Sequence, residues 1–315
     1  MMVGNGLVMA TFESIATLIA IGLIGFMVIK RKVMPEETLG FLTPLAIDIA
    51  LPCLIFVNIL EGFDPSQKIG WWKLPLWWIV FQVGAGFLTF IFARVATKTI
   101  RKEFAVSLFF QNGMFLPIAI ITGIFGKNSP FVVTLILFTL FYPSFFFSTY
   151  HLFFNKGPRN RDWRKIINNI LMATVAATLL KVFGIQAVMP DFLIKSLGMV
   201  GNMAIPVLIL IIGGNIYVDF SHRGKIVLSE IIKFIAIKNL IYPVVMIGIL
   251  MIIKPPYEVA LMMIIQSAVP PITAIPIVVD RAGGDRNIAN QFLFSSFIFS
   301  LVTIPLIMYL FDRFV

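Results

Sequence analysis

This chain has little of what most enzymes are built from. Its 315 residues include one cysteine, Cys53, so neither a disulfide framework nor a thiolate metal site is possible within one chain. The two histidines, His151 and His222, show no HExxH spacing, which excludes the usual intramembrane zinc protease. Asp48 is the only aspartate well inside an apolar run, whereas an intramembrane aspartyl protease needs a second one opposite it. No Walker A pattern or glycine-rich nucleotide loop occurs, so the chain carries no ATPase of its own. Charge is scarce too: Asp, Glu, Lys and Arg make up 13% of the residues, against roughly 25% in a soluble domain. These shortages leave no enzyme, cofactor or metal site to expect.

What is present is apolar. Hydrophobic residues reach 59% and mean hydropathy is +0.97, which marks a polytopic membrane protein. Ten apolar runs, near residues 8–29, 39–60, 74–96, 103–125, 130–154, 165–184, 196–218, 227–253, 257–279 and 288–311, are long enough to cross a hydrocarbon core of ~30 Å. The first has no Lys or Arg before Lys30, hence no basic n-region, and reads as a retained span rather than a signal peptide. The net charge of +10 is distributed by topology and does not suggest a nucleic-acid partner. Sixteen Lys and Arg follow spans 1, 3, 5, 7 and 9, seven lie on the other side, and Lys233 and Lys238 fall inside span 8. By the positive-inside rule the sixteen face the cytoplasm, which places both termini outside a cell membrane. The pairs Trp71-Trp72 and Trp77-Trp78 open span 3 on the outer face and read as an interfacial belt.

Two of the apolar runs carry helix breakers beside primary amides. The first reads Phe109-Phe110-Gln111-Asn112-Gly113-Met114-Phe115-Leu116-Pro117 and the second Ile265-Gln266-Ser267-Ala268-Val269-Pro270-Pro271-Ile272. Backbone groups freed in hydrocarbon cost several kcal/mol each, so such breaks serve something polar. Gln111 and Gln266 are 155 residues apart, and Asp48-Ile49-Ala50-Leu51-Pro52 in span 2 precedes Asn202-Met203-Ala204-Ile205-Pro206 in span 7 by 154. Two landmarks whose offsets agree within one residue define two repeats, 1–155 and 156–315, joined by the basic stretch 156–165 with Gly157-Pro158. Five spans is an odd number, so the second repeat enters from the opposite side. Interrupted helices at matching places in inverted repeats point to a transporter's substrate site at the midplane.

Half-helix N-termini present about +0.5 charge and free N–H groups, which suits a carboxylate. Gln111, Asn112 and Gln266 would add amide donors and acceptors, Gly113 and Ser267 keep the backbone approachable, and Pro117, Pro270 and Pro271 make the breaks. The competing reading of these amides is glue between helices. Lys238 lies roughly 18 Å into span 8 at 1.5 Å per residue. A buried ammonium there must meet Asp48, Glu13, a carbonyl or the substrate; the competing reading is a side chain that snorkels or sits in a fixed ion pair. Asp48, whose repeat partner is Asn202, is a candidate for carrying a coupling proton.

The chain resembles the auxin efflux carrier family, including its prokaryotic members. The resemblance rests on Gln266-Ser267-Ala268-Val269-Pro270-Pro271 followed by Pro276-Ile277-Val278-Val279, on Asn112-Gly113-x-x-Leu116-Pro117, on Ala50-Leu51-Pro52, and on Lys238 five residues before Pro243. It covers residues from about 10 to 312, and the long central loop of the plant carriers is missing. It implies an all-α fold of ten transmembrane helices like that of bile-acid symporters, with spans 4 and 9 broken and crossing at their prolines. Spans 1, 2, 6 and 7 would form a scaffold, usually the surface of a homodimer, and spans 3–5 and 8–10 a moving transport domain. Family substrates are small organic anions such as indole-3-acetate, malate or malonate. The expectation is a secondary carrier of a small organic anion, embedded in membrane lipid and working by alternating access of elevator type. The alternatives are a ligand-binding membrane sensor and a sodium-coupled symporter of bile-acid-symporter type.

Overall fold

A computed structural model describes residues 2–66, 70–126, 129–154, 169–186, 189–221 and 226–315. The expected joint at 156–165 lies outside the described residues, as do His222, Arg223, Lys225, Lys68 and Lys127.

The described residues are helical, with no strand among them, as a chain in hydrocarbon requires when each backbone group must be satisfied within its own segment. In chain order the helices are α1 (Met2–Lys30), α2 (Glu37–Pro44), α3 (Leu51–Gly62), α4 (Leu74–Phe92), α5 (Arg101–Phe109), α6 (Phe115–Phe125), α7 (Pro130–Phe138) and α8 (Tyr142–Thr149). There follow α9 (Asn169–Val182), α10 (Asp191–Gly201), α11 (Ala204–Ser221), α12 (Leu228–Ile235), α13 (Tyr242–Ile253), α14 (Tyr257–Ala268), α15 (Ile275–Arg281) and α16 (Arg286–Phe314). Five continuous helical stretches are long and apolar enough to cross a membrane: Glu37–Gly62, Trp71–Val95, Asp191–Val218, Leu228–Ile253 and Arg286–Phe314. The remaining expected spans hold shorter apolar helices, among them Phe115–Phe125 and Tyr257–Ala268.

Proline explains much of the irregularity. The π-turns Leu45–Ala50 and Ala236–Ile241 each sit just ahead of a proline, Pro52 and Pro243, which has no N–H to give the carbonyl four residues back. For Pro52 that carbonyl is Asp48, and it accepts instead from Asn169 Nδ2 on α9 at 2.9 Å. A π-turn rotates the following side chains relative to a regular helix. This turns Asp48 to the exposed side of its helix and Lys238 to the inside of its own.

Small residues bring one group of helices together. A Cβ on Gly213 of α11 would run into the Gly22 carbonyl of α1, and one on Gly25 into Leu210. Gly201, where α10 ends, lies against the α3 backbone, with Leu54 N at 2.6 Å from the place of its missing Cβ. Such close approach is how helices associate in lipid, where burial of apolar surface drives nothing. α3 also packs against α9 and α10, while α16 packs against α5 and α12 to α15, and α4 against α5, α7 and α14. α1 touches both groups through α6 and α16. The tryptophan belt needs a correction: Trp72 is exposed, but Trp78 is buried and packs edge-on against Tyr142 and Phe145.

Candidate functional site at two helix breaks

α5 stops at Phe109 and α14 at Ala268, and the unwound residues after them pair with each other. Asn112 N–H donates to the Pro270 carbonyl at 2.8 Å and Ile272 N–H to the Phe110 carbonyl at 2.9 Å, an antiparallel bridge centred on Gln111 and Pro271. Each break thus supplies the backbone partners that the other lacks, which is what two buried, unwound segments need where water is excluded.

The glutamines complete the joint. Gln266 Nε2 donates to the Gly113 carbonyl at 2.6 Å, the acceptor that Pro117, four residues on, has no N–H to reach. Gln266 Oε1 accepts from Gln111 Nε2 at 3.2 Å. The Tyr142 hydroxyl donates to the Gln111 carbonyl, and the Tyr142 ring lies 2.7 Å from where a Cβ on Gly113 would be. Only glycine fits there. Asn112 Oδ1 accepts from Leu116 N–H at 3.4 Å and so closes the start of α6, where a helix leaves its first N–H groups without intrahelical partners. Asn112 Nδ2 has no partner among the described residues.

Lys238 stands at the second break. Its side chain is 1% exposed, and Nζ donates to the Ser267 carbonyl at 3.3 Å and lies 5.0 Å from the centre of the Tyr242 ring. Ser267 is in the last turn of α14, where the helix dipole is negative, so a cation is favoured there. The Ser267 hydroxyl bonds within its helix, to the Ile264 carbonyl at 2.7 Å. Of the partners the sequence leaves open for Lys238, the structure shows a carbonyl; no carboxylate reaches it among the described residues. Asp48 and Asn202 are both exposed and bond to none of the break residues. Glu13 is exposed on α1, and Lys233 pairs with buried Glu230 at 2.7 Å.

A cavity of about 590 Å³ leads from the second break toward the face of the basic loops. Asn215 on α11 borders it, with Thr273 beside the break and Arg286, Asn287 and Asn290 at the start of α16. The sequence reading passed over these residues. The signal was there in Asn287, Asn290 and Gln291, polar side chains at helical spacing where span 10 begins. Among the described residues, no cluster of His, Cys, Asp and Glu is placed to hold a metal ion.

A family model described as a membrane transport protein matches residues 10–162 and again 159–308, so one model fits the chain twice. The chain belongs to this family, that of the auxin efflux carriers. An uncharacterized transporter of Schizosaccharomyces pombe is 25% identical over 114 residues, 36% of this chain. That stretch spans 25% of the relative's own length. The chain is thus a membrane protein of a transporter family with two repeats, each contributing one of the paired breaks.

Proposed function

We propose that this protein is a secondary carrier of a small organic anion, with the anion bound at the paired breaks of spans 4 and 9. The observation that carries the reading is that the two breaks bridge each other, Asn112 N–H to the Pro270 carbonyl, while buried Lys238, which no carboxylate reaches among the described residues, donates to the Ser267 carbonyl of the second break. A carboxylate entering there would meet positive charge and hydrogen-bond donors together. Gln111, Gly113, Pro117, Gln266, Ser267, Pro270 and Pro271 shape the place, and Gln111 and Gln266 act through the backbone they hold. Asp48 and its counterpart Asn202 remain candidates for coupling, acting from the scaffold surface rather than from the anion site.

In this proposal ten spans form two inverted five-helix repeats, 1–155 and 156–315, in a cell membrane with both termini outside. The helices α1 to α3 and α9 to α11 make the scaffold and the dimer surface, and the rest make a transport domain that moves as a unit. The cavity beside Asn215 and Asn290 is then the cytoplasmic entrance, bounded by scaffold on one side and transport domain on the other. Cysteines placed at Asn5 and Asn160 in a Cys53→Ser background should react with an impermeant reagent from opposite faces; reaction from one face contradicts the topology. For the site, a thermal-shift screen of mono- and dicarboxylates against their neutral amides is expected to find stabilisation by carboxylates alone. Stabilisation by both classes alike, or by neither, would remove the anion site.

A further inference from the structure

A second polar place lies away from the breaks. Trp78 and Gln82 are one turn apart on α4, and with Ser144 and Ser148, one turn apart on α8, they border a cleft of about 440 Å³. Gln82 is 5% exposed and Trp78 3%, yet Gln82 Oε1, Gln82 Nε2 and Trp78 Nε1 have no hydrogen-bond partner among the described residues. Gln82 sits about 16 Å along its helix from Trp71 at 1.5 Å per residue, near the middle of a hydrocarbon core of ~30 Å. At that depth no bulk water serves an idle amide, and leaving it unpaired is costly. The mouth of the cleft is rimmed by Ile79, Val83 and Phe141, apolar side chains exposed on the side of the bundle.

The three idle atoms are two donors and one acceptor. A neutral carboxylic acid matches them as a set: its O–H donates to Gln82 Oε1 while its carbonyl oxygen accepts from Gln82 Nε2 and Trp78 Nε1. The two acid oxygens are spaced like the amide's oxygen and nitrogen, so the first two bonds run parallel. An ionised carboxylate would turn a negative oxygen on Gln82 Oε1, and an ester or alkane would leave that acceptor idle. The apolar mouth suits a hydrocarbon tail entering from the side.

We propose that the cleft between α4 and α8 binds a long-chain carboxylic acid in its neutral form, taken from the membrane. Trp78 packs edge-on against Tyr142, with ring centres 6.2 Å apart, and Tyr142 holds Gln111 and Gly113 at the first break. The acid is therefore a neighbour of the helix breaks without entering them. The inference rests on the chain lying in a membrane and is independent of which anion the carrier moves.

The test uses the full chain in nanodiscs and a long-chain fatty acid carrying a diazirine on its tail. Labelling is expected on peptides from α4 and α8, with the unlabelled acid competing and its methyl ester or parent alkane competing about tenfold less well. Gln82→Leu should lose about tenfold in labelling while keeping or raising the melting temperature, because it removes an idle buried amide. Trp78→Phe, which keeps a ring and removes one donor, should lose a smaller share. Labelling unchanged in Gln82→Leu, equal competition by the alkane, or labelling confined to other helices would overturn the proposal. Should Gln82→Leu fail to fold, Trp78→Phe and the ester competition decide.

Discussion

Lys238 poses the main electrostatic problem at the residue scale. A lysine side chain buried to 1% exposure is held by one carbonyl and one ring face, with no carboxylate beside it among the described residues. A charge in that state is costly unless a partner of opposite sign arrives. The break amides divide differently than their composition suggests. Gln266 is committed to the Gly113 carbonyl and to Gln111, so it works as the glue reading has it, whereas Asn112 uses its oxygen on α6 and keeps its NH₂ open. Gln266→Ala should therefore lower stability by about 1–3 kcal/mol, the cost of buried groups left unpaired. Asn112→Ala should lower stability by only ~1 kcal/mol, as loss of a helix cap does, while abolishing carboxylate-induced thermal stabilisation. Thermal unfolding of both variants with and without carboxylate checks the contrast; equal losses of stability with carboxylate stabilisation retained in both would contradict it.

At the scale of elements, the joint depends on a close fit between an unwound loop and a neighbouring helix. A methyl group on Gly113 would fall 2.7 Å from the Tyr142 ring, so Gly113→Ala must displace that ring or the loop. Overpacking of this kind costs about 1–3 kcal/mol. Tyr142→Leu should make the same methyl cheaper, and the double variant should lose less stability than the two single losses added. Strict additivity in a denaturation series would mean that Tyr142 does not hold the break. The breaks themselves were legible in the sequence because proline and glutamine have no business in a plain span. The outward turn of Asp48 was not. It follows from a π-turn that Pro52 induces and Asn169 completes from another helix, a partnership 121 residues apart that no local pattern reveals. Trp78 was misplaced for a related reason: two adjacent Trp pairs look alike in sequence, and only packing on Tyr142 separates the buried ring from exposed Trp72.

For the whole molecule, the repeat was readable from two landmarks whose offsets agree within one residue, and the family model fits the chain twice in agreement with it. The cavity between Asn215 and Asn290 was not readable, since isolated amides in apolar helices acquire meaning only when folding brings the helices together. That cavity is where the proposed scaffold faces the proposed transport domain, so motion of one against the other must change it. The most direct measurement is counterflow of a radiolabelled carboxylate into proteoliposomes preloaded with the same unlabelled anion, made on the wild type and on a Cys53→Ser variant with cysteines at Asn215 and Asn290 joined by a short bismaleimide. The account predicts exchange by the wild type, and in the bridged variant carboxylate binding without exchange, restored when the bridge is omitted. A wild type that binds the carboxylate but does not exchange it would contradict the carrier and leave a sensor; undiminished exchange in the bridged variant would contradict movement between scaffold and transport domain.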